Sequence, residues 1–148
     1  MSENAASASA SILLADDDSS VLQTLSMAFR ADGHRVEAAS DGARALEALE
    51  KGRFEVLVLD ILMPGATGWE VLAKAIEATP AGSPLPRAIL ITGFNQEYVV
   101  DMALLRQEGV AAMLLKPFTA TALLDEIRRV LSLPPEFALP RPSLGATA

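Results

Sequence analysis

Short apolar runs recur along the chain, and most of them end at a charged or hydroxyl residue. The clearest are ILLA (12–15), VLVL (56–59), AILI (88–91) and AMLL (112–115), and a weaker run, RVEAA, lies at 35–39. Each has the length of a β-strand and almost no alternation of polar and apolar positions. That pattern is typical of strands covered on both faces in a parallel sheet. We therefore predict five strands.

Between and after these runs, apolar residues recur with helical spacing. The pattern predicts helices over 20–30, 41–52, 68–78, 96–108 and 119–131. Thr119 and Thr121 are candidates for capping the last helix, and Trp69 belongs to the apolar face of the third. Strands that alternate with helices, joined by right-handed crossovers, predict an α/β fold: a doubly wound five-stranded parallel sheet with helices on both faces.

The two ends of the chain differ from its middle in composition. Residues 1–11 are small and polar, which predicts a disordered N-terminal segment. Residues 12–133 form the predicted domain, and the Pro-rich stretch 134–148 predicts a semi-rigid tail in solvent. Phe137 and Leu139 would be its anchors if the tail docks on another protein. The single histidine, His34, lies in a predicted turn and is expected on the surface.

Composition excludes several classes of function. The chain has no cysteine, so a disulfide framework, a thiol nucleophile and cysteine-ligated metals are ruled out. Its net charge of −7 argues against direct nucleic-acid binding, which calls for a clustered basic surface. The N-terminal stretch lacks a basic region, and no apolar segment approaches the ~20 residues that span a bilayer. We expect a soluble protein with no membrane contact, and a cytoplasmic location is compatible with this.

Polar residues follow four of the predicted strands at the point where each strand ends. In doubly wound sheets, ligands bind at the carboxyl ends of the strands. The residues at these ends are Asp16, Asp17, Asp18, Asp60, Thr92 and Lys116. Clustered carboxylate oxygens suit Mg²⁺, whose charge would offset the repulsion between neighbouring acids. The sequence therefore predicts a magnesium site at this edge.

The same residues suit phosphoryl chemistry. A carboxylate beside a metal and a fixed ammonium can attack phosphorus to give an aspartyl phosphate. Asp60 is the best candidate nucleophile, because it stands alone in an apolar run and is held rigidly. Thr92 and Lys116 would then hold the phosphoryl oxygens.

Five stretches together resemble the receiver domain of two-component response regulators. They are ILLADDD, GHRVEAASDGARALEALE, VLVLDILMPGATGWEVL, ILITGF and MLLKPF, which occur in the right order between residues 12 and about 131. The resemblance implies a flavodoxin-like strand order of 2-1-3-4-5, with Asp60 as the phosphoacceptor. It implies a stand-alone regulator that is phosphorylated by a sensor histidine kinase or a histidine phosphotransfer protein and signals through an unknown protein target, as a monomer or weak homodimer.

The resemblance also assigns the site residue by residue. Asp17 is a direct Mg²⁺ ligand, Asp16 helps to hold the ion through water, and the backbone carbonyl of Leu62 completes the protein ligands together with Asp60. Thr92 and Lys116 contact the phosphoryl group, and the Lys116–Pro117 peptide is cis.

Three positions depart from the family pattern. Met113 stands where the family usually carries the aromatic residue that takes part in the output switch with Thr92. Leu62 and Phe94 are apolar and cannot orient a water for attack on the acyl phosphate, so we predict slow self-dephosphorylation and no other enzymatic activity.

Plainer interpretations and other functions remain open. Asp16 and Asp17 could start a helix, and Asp18 is as well explained as a helix cap as by a metal role. Lys116 could be a surface lysine, and Thr92 could cap a turn. Among functions, a binding module that works without phosphorylation stays possible because of Met113. An aspartyl-phosphate phosphatase would need a second acid where Leu62 stands.

Overall fold

The computed structural model describes residues 9–93 and 109–140, which form a five-stranded parallel sheet with helices on both faces. The strands have the order β2-β1-β3-β4-β5, so the predicted fold class and strand order are confirmed. The elements are β1 (Ser11–Ala15), α1 (Ser19–Ala31), β2 (Arg35–Ala39), α2 (Gly42–Lys51), β3 (Val56–Asp60), α3 (Gly68–Ala78), β4 (Arg87–Thr92), β5 (Val110–Leu115) and α4 (Ala120–Leu131). The helix predicted over 96–108 lies outside the described residues.

The sheet separates two apolar clusters, one on each face. Leu13, Leu57 and Leu90 belong to the cluster that packs against α2 and α3. The alternate residues of the same strands belong to the cluster that packs against α1 and α4. Since β3 lies in the middle of the sheet, every one of its residues is buried, including Asp60 at its end. A polar side chain at that position is held by packing on all sides.

Polar caps fix where the helices begin. The Asp18 side chain accepts hydrogen bonds from the amides of Ser20 and Val21 at the start of α1. Thr67 and Glu70 form a reciprocal capping box at the start of α3. Thr119 caps α4, as predicted, whereas Thr121 lies inside that helix. The capping explanation of Asp18 is therefore confirmed.

The N-terminal boundary and the environment of His34 differ from the predictions. Ser11 is already the first residue of β1, and Ala10 is buried. The amide of Ala10 donates to Nδ1 of His34 over 3.1 Å, so the imidazole is buried rather than exposed. The surface prediction for His34 was wrong because its partner lies 24 residues earlier in the chain. Residues 1–8 lie outside the described part.

Part of the segment predicted to be a solvated tail packs on the domain. Leu139 is only 2 % exposed and belongs to the cluster beneath α2 and α3. Its amide donates to the carbonyl of Pro86 over 2.8 Å, just before β4. Phe137, the other predicted anchor, is 38 % exposed.

Trp69 departs from its predicted buried position, since it is 36 % exposed on α3. None of the helices in 9–93 and 109–140 is both long and apolar enough to cross a bilayer.

Candidate functional site

The strand register brings the predicted acidic residues together at the carboxyl edge of the sheet. Ala15 pairs with Leu59, so the next residues, Asp16 and Asp60, leave adjacent strands at the same level. One carboxylate oxygen each from Asp16, Asp17 and Asp60 lies within 4.8 Å of the others. Asp16 and Asp60 are buried, whereas Asp17 is exposed. The cluster therefore combines two rigid carboxylates with one that faces solvent.

Lys116 reaches the same cluster from β5. Its Nζ lies 2.9 Å from Oδ2 of Asp16 and 3.2 Å from Oδ2 of Asp60. The amide of Lys116 donates to the carbonyl of Thr92 over 2.8 Å, which ties the end of β5 to the end of β4. The Lys116–Pro117 peptide is cis, as the family resemblance implied. One ammonium is thus shared by two buried carboxylates.

The electrostatics of this group are strongly coupled. Burial raises the pKa of Asp60, the negative charge of Asp16 raises it further, and Lys116 only partly opposes the rise. Burial alone would lower the pKa of Lys116, but its hydrogen bond to Asp16 and the charges of Asp16 and Asp60 outweigh burial, so that pKa is raised. The lysine therefore stays protonated, and a second cation would favour the ionised form of Asp60.

The loop after β3 is built closely around Asp60. The amide of Leu62 donates to Oδ1 of Asp60 over 3.3 Å. Gly68, the first residue of α3, also lies against Asp60. A Cβ at position 68 would lie only 2.7 Å from the Asp60 carbonyl oxygen, so a larger residue would collide with it. This contact was not predicted from the sequence, although a glycine directly after Thr67 was a usable signal. Gly68 lets α3 begin directly against the end of β3.

Thr92 and Met113 lie on neighbouring strands. Thr92 is buried at the end of β4. Met113 pairs with Leu90 and packs, partly buried, on the cluster beneath α2 and α3. Leu90 and Thr92 share one face of β4 because side chains alternate along a strand. Met113 therefore belongs to the same face as Thr92. Phe94 lies outside the described residues.

The donor set fits a small, hard divalent cation. All three side chains offer carboxylate oxygens, the ligand type that Mg²⁺ prefers. Oδ2 of Asp16 is buried and accepts no hydrogen bond within the described residues, although Nζ of Lys116 lies close to it. One ammonium cannot neutralise three carboxylates, so a divalent cation would remove the remaining repulsion. The exposed Asp17 leaves an entry path from solvent.

The chain matches the family model of the response regulator receiver domain over residues 12–128. It therefore belongs to the response regulator receiver family of two-component systems, as its sequence motifs predicted.

Relatives and solved structures agree with this assignment. The chain is 33 % identical to the chemotaxis protein CheY of Pseudomonas aeruginosa, over 80 % of this chain and 94 % of that protein. It is also 33 % identical to the transcriptional regulatory protein AfsQ1 of Streptomyces coelicolor, over 82 % of this chain, but it spans only about half (51 %) of AfsQ1. A CheY-like receiver domain from Methanospirillum hungatei superposes with a TM-score of 0.70 at 27 % identity, covering 84 % of this chain and 94 % of that one.

Proposed function

We propose that Asp60 accepts a phosphoryl group from a phosphohistidine, carried by a sensor histidine kinase or a histidine phosphotransfer protein. A carboxylate oxygen of Asp60 forms the new P–O bond as the P–N bond of the donor breaks, and the imidazole leaves with the electron pair. The observation that carries this proposal is the cluster in which Lys116 lies 3.2 Å from Asp60 and 2.9 Å from Asp16. Such donors are made with ATP, which implies a cytoplasmic location.

Asp16, Asp17, Asp60 and the backbone carbonyl of Leu62 would hold Mg²⁺, with Asp16 acting through water. The ion would neutralise charge on the transferred group and keep Asp60 ionised. Support comes from the three carboxylate oxygens that lie within 4.8 Å of one another. Lys116 and the hydroxyl of Thr92 would bind the phosphoryl oxygens. Lys116 already lies 3.2 Å from Asp60, so a short movement would bring its ammonium to the phosphoryl oxygens.

Signalling would follow from a shift in a pre-existing equilibrium. The new charge on Asp60 would draw Thr92 and Lys116 toward it and change the surface near β5. Met113 shares the face of Thr92 and would move with it, since its unbranched side chain repacks easily. The output is a changed contact with another protein rather than direct binding of nucleic acid, and the protein acts as a monomer or weak homodimer.

Intact mass spectrometry after incubation with Mg²⁺ and acetyl phosphate tests the proposal. The wild-type protein should gain one phosphoryl mass, and the gain should vanish in Asp60→Asn and in EDTA. Asp125→Asn is the matched control, because Asp125 is exposed on α4 and should leave the gain unchanged. A gain that persists in Asp60→Asn would contradict the assignment.

Self-dephosphorylation should be slow. Leu62 is 39 % exposed beside Asp60 and has no group that can orient an attacking water. In Leu62→Asn the amide could do so, and the phosphorylated form should decay several-fold faster than in the wild type. A wild-type half-life no longer than that of the variant would count against this point.

A second candidate function is a binding module that acts without phosphorylation. Met113, which replaces the usual aromatic residue and lies partly buried on the core, is the observation that favours it. Failure to gain phosphoryl mass would support this candidate. A pull-down that compares phosphorylated with unphosphorylated protein would separate the two, because only phosphorylation-dependent signalling predicts different partners.

A further inference from the structure

A cavity opens at the amino end of the sheet, opposite the acidic cluster. Its volume is about 570 Å³, within the range of roughly 300–1,000 Å³ typical of small-molecule sites. Three of its lining residues stand at the first position of a strand: Ser11 in β1, Arg35 in β2 and Arg87 in β4. Arg53 and Glu55 come from the loop that precedes β3. The cavity lies one strand length, roughly 13 Å, from the level of Asp60.

The charge in this cavity is positive and is not neutralised locally. Arg35, Arg53 and Arg87 face one carboxylate, that of Glu55. Oε1 of Glu55 accepts a hydrogen bond from the amide of Ser11 over 2.8 Å. Across the described ranges, none of the three arginines forms an ion pair. In a protein of net charge −7, three such arginines around one cavity form a local site for anions.

The arginines also have N–H donors that are not used within the described part of the chain. Nη1 of Arg87 donates to the carbonyls of Val130 and Leu131 at the end of α4, which fixes the guanidinium. Its Nε is buried and, among the residues described, has no hydrogen-bond partner. Within the described residues, the guanidinium of Arg35 makes one hydrogen bond, a long contact of 3.5 Å with the Ser11 hydroxyl. Because Nε of Arg87 is buried, the donors open to an anion in the cavity are the exposed guanidinium groups of Arg35 and Arg53.

Apolar residues also line the cavity. They are Phe54, Pro84, Leu85 and Leu131. The planar fork of a guanidinium can donate two hydrogen bonds to two oxygens of a phosphate group, and apolar side chains can contact the organic part of a ligand. We propose that this cavity binds a small organic phosphate, with its phosphoryl group on the arginines and its organic portion against Phe54 and Leu85. The proposal does not depend on phosphorylation of Asp60.

The test is a calorimetric titration in EDTA at fixed ionic strength with AMP, inorganic phosphate and adenosine. We expect AMP to bind at least fivefold more tightly than phosphate, and adenosine not to bind measurably. In NMR spectra recorded with AMP, the largest changes in backbone amide chemical shift should fall on Ser11, Glu55 and Arg87. Shifts concentrated on Asp16 and Asp60 would overturn the proposal, and so would the absence of AMP binding.

A charge-matched pair of variants separates the cavity from general attraction of anions. Arg35→Gln/Arg53→Gln removes two exposed lining arginines and should weaken AMP binding about tenfold or more. Arg44→Gln/Lys51→Gln removes two exposed positive charges of α2 that do not line the cavity, and binding should stay within twofold. Circular dichroism checks that each variant is folded. An unchanged affinity in Arg35→Gln/Arg53→Gln, or equal binding of AMP and phosphate, would overturn the assignment to an organic phosphate.

Discussion

The two ends of the sheet carry opposite charge, and each end balances its charge differently. At the carboxyl end, three carboxylates share one ammonium, and Lys116 contacts two of them directly. At the amino end, three arginines surround a cavity with one carboxylate, and none of them is ion-paired within the described residues.

The carboxyl end thus has an excess of anionic oxygen, and the amino end has an excess of cationic donors. Parallel strands produce this separation because all their ends of one kind lie on one edge. The comparison predicts a cation site at the carboxyl edge and an anion site at the amino edge.

The largest expected effect comes from removing the shared ammonium. Lys116→Met leaves Asp16 and Asp60 buried side by side without a counter-charge, which should lower the free energy of unfolding by about 3 kcal/mol in EDTA at pH 7. Urea denaturation measures it. Lys51→Met, at an exposed position in the last turn of α2, is the control and should change stability by less than about 0.5 kcal/mol. Equal effects in the two variants would show that the ammonium does not hold the cluster together.

The amino end should be sensitive to the packed part of the tail. Leu139→Ala removes a buried side chain beside the start of β4 and should cost about 2 kcal/mol of unfolding free energy. Phe137→Ala, two residues earlier and partly exposed, should cost clearly less. Thermal and urea unfolding of the two variants give the comparison. If both cost the same, Leu139 is not part of the core.

Magnesium should stabilise the protein through the carboxyl end alone. At ten times its dissociation constant, a ligand that binds only the folded state adds about 1.4 kcal/mol. Asp17→Asn should abolish this gain while leaving the stability in EDTA nearly unchanged, because Asp17 is exposed. Differential scanning calorimetry with and without Mg²⁺ measures both quantities.

Asp18→Ala is the matched control for that experiment. It removes the cap of α1 and should cost about 1 kcal/mol in EDTA, yet the gain from Mg²⁺ should persist. Loss of the magnesium effect in Asp18→Ala but not in Asp17→Asn would reassign the metal ligand.

The smallest effect is a pH dependence. Folding raises the pKa of Asp60, through burial first and the charge of Asp16 second. Its contribution to stability is therefore fully present below its ordinary pKa of 3.8 and is lost as the pH rises through the folded-state value. Asp60→Asn has no ionisable group at this position and does not lose this stability. In EDTA, the variant should therefore become progressively more stable than the wild type between pH 3.5 and 7. A constant difference across that range would contradict the raised pKa.

The sequence was sufficient for the carboxyl end because its signals are local. Each candidate site residue directly follows an apolar run, and parallel strands bring such residues to one edge. The ends of the apolar runs therefore predicted that Asp16, Asp60, Thr92 and Lys116 lie at one edge of the sheet.

The cavity at the amino end was not predicted, because the residues that line it are scattered along the sequence. Arg35 and Arg87 lie 52 positions apart, with Arg53 between them. The three arginines form no sequence motif, although Arg35 and Arg87 begin strands. His34 and Leu139 were misplaced for the same reason, since their partners, Ala10 and Pro86, lie far away in the chain. Long-range contacts of single residues leave no periodic pattern to detect.

The most direct test of the central claim is to locate the phosphoryl group itself. Protein treated with acetyl phosphate and Mg²⁺ is reduced with borohydride, which converts an aspartyl phosphate to homoserine, and is then digested and sequenced by tandem mass spectrometry. The account predicts homoserine at position 60 and at no other acidic residue. Homoserine at position 16 or 17, or none at all in protein that has gained phosphoryl mass, would contradict it.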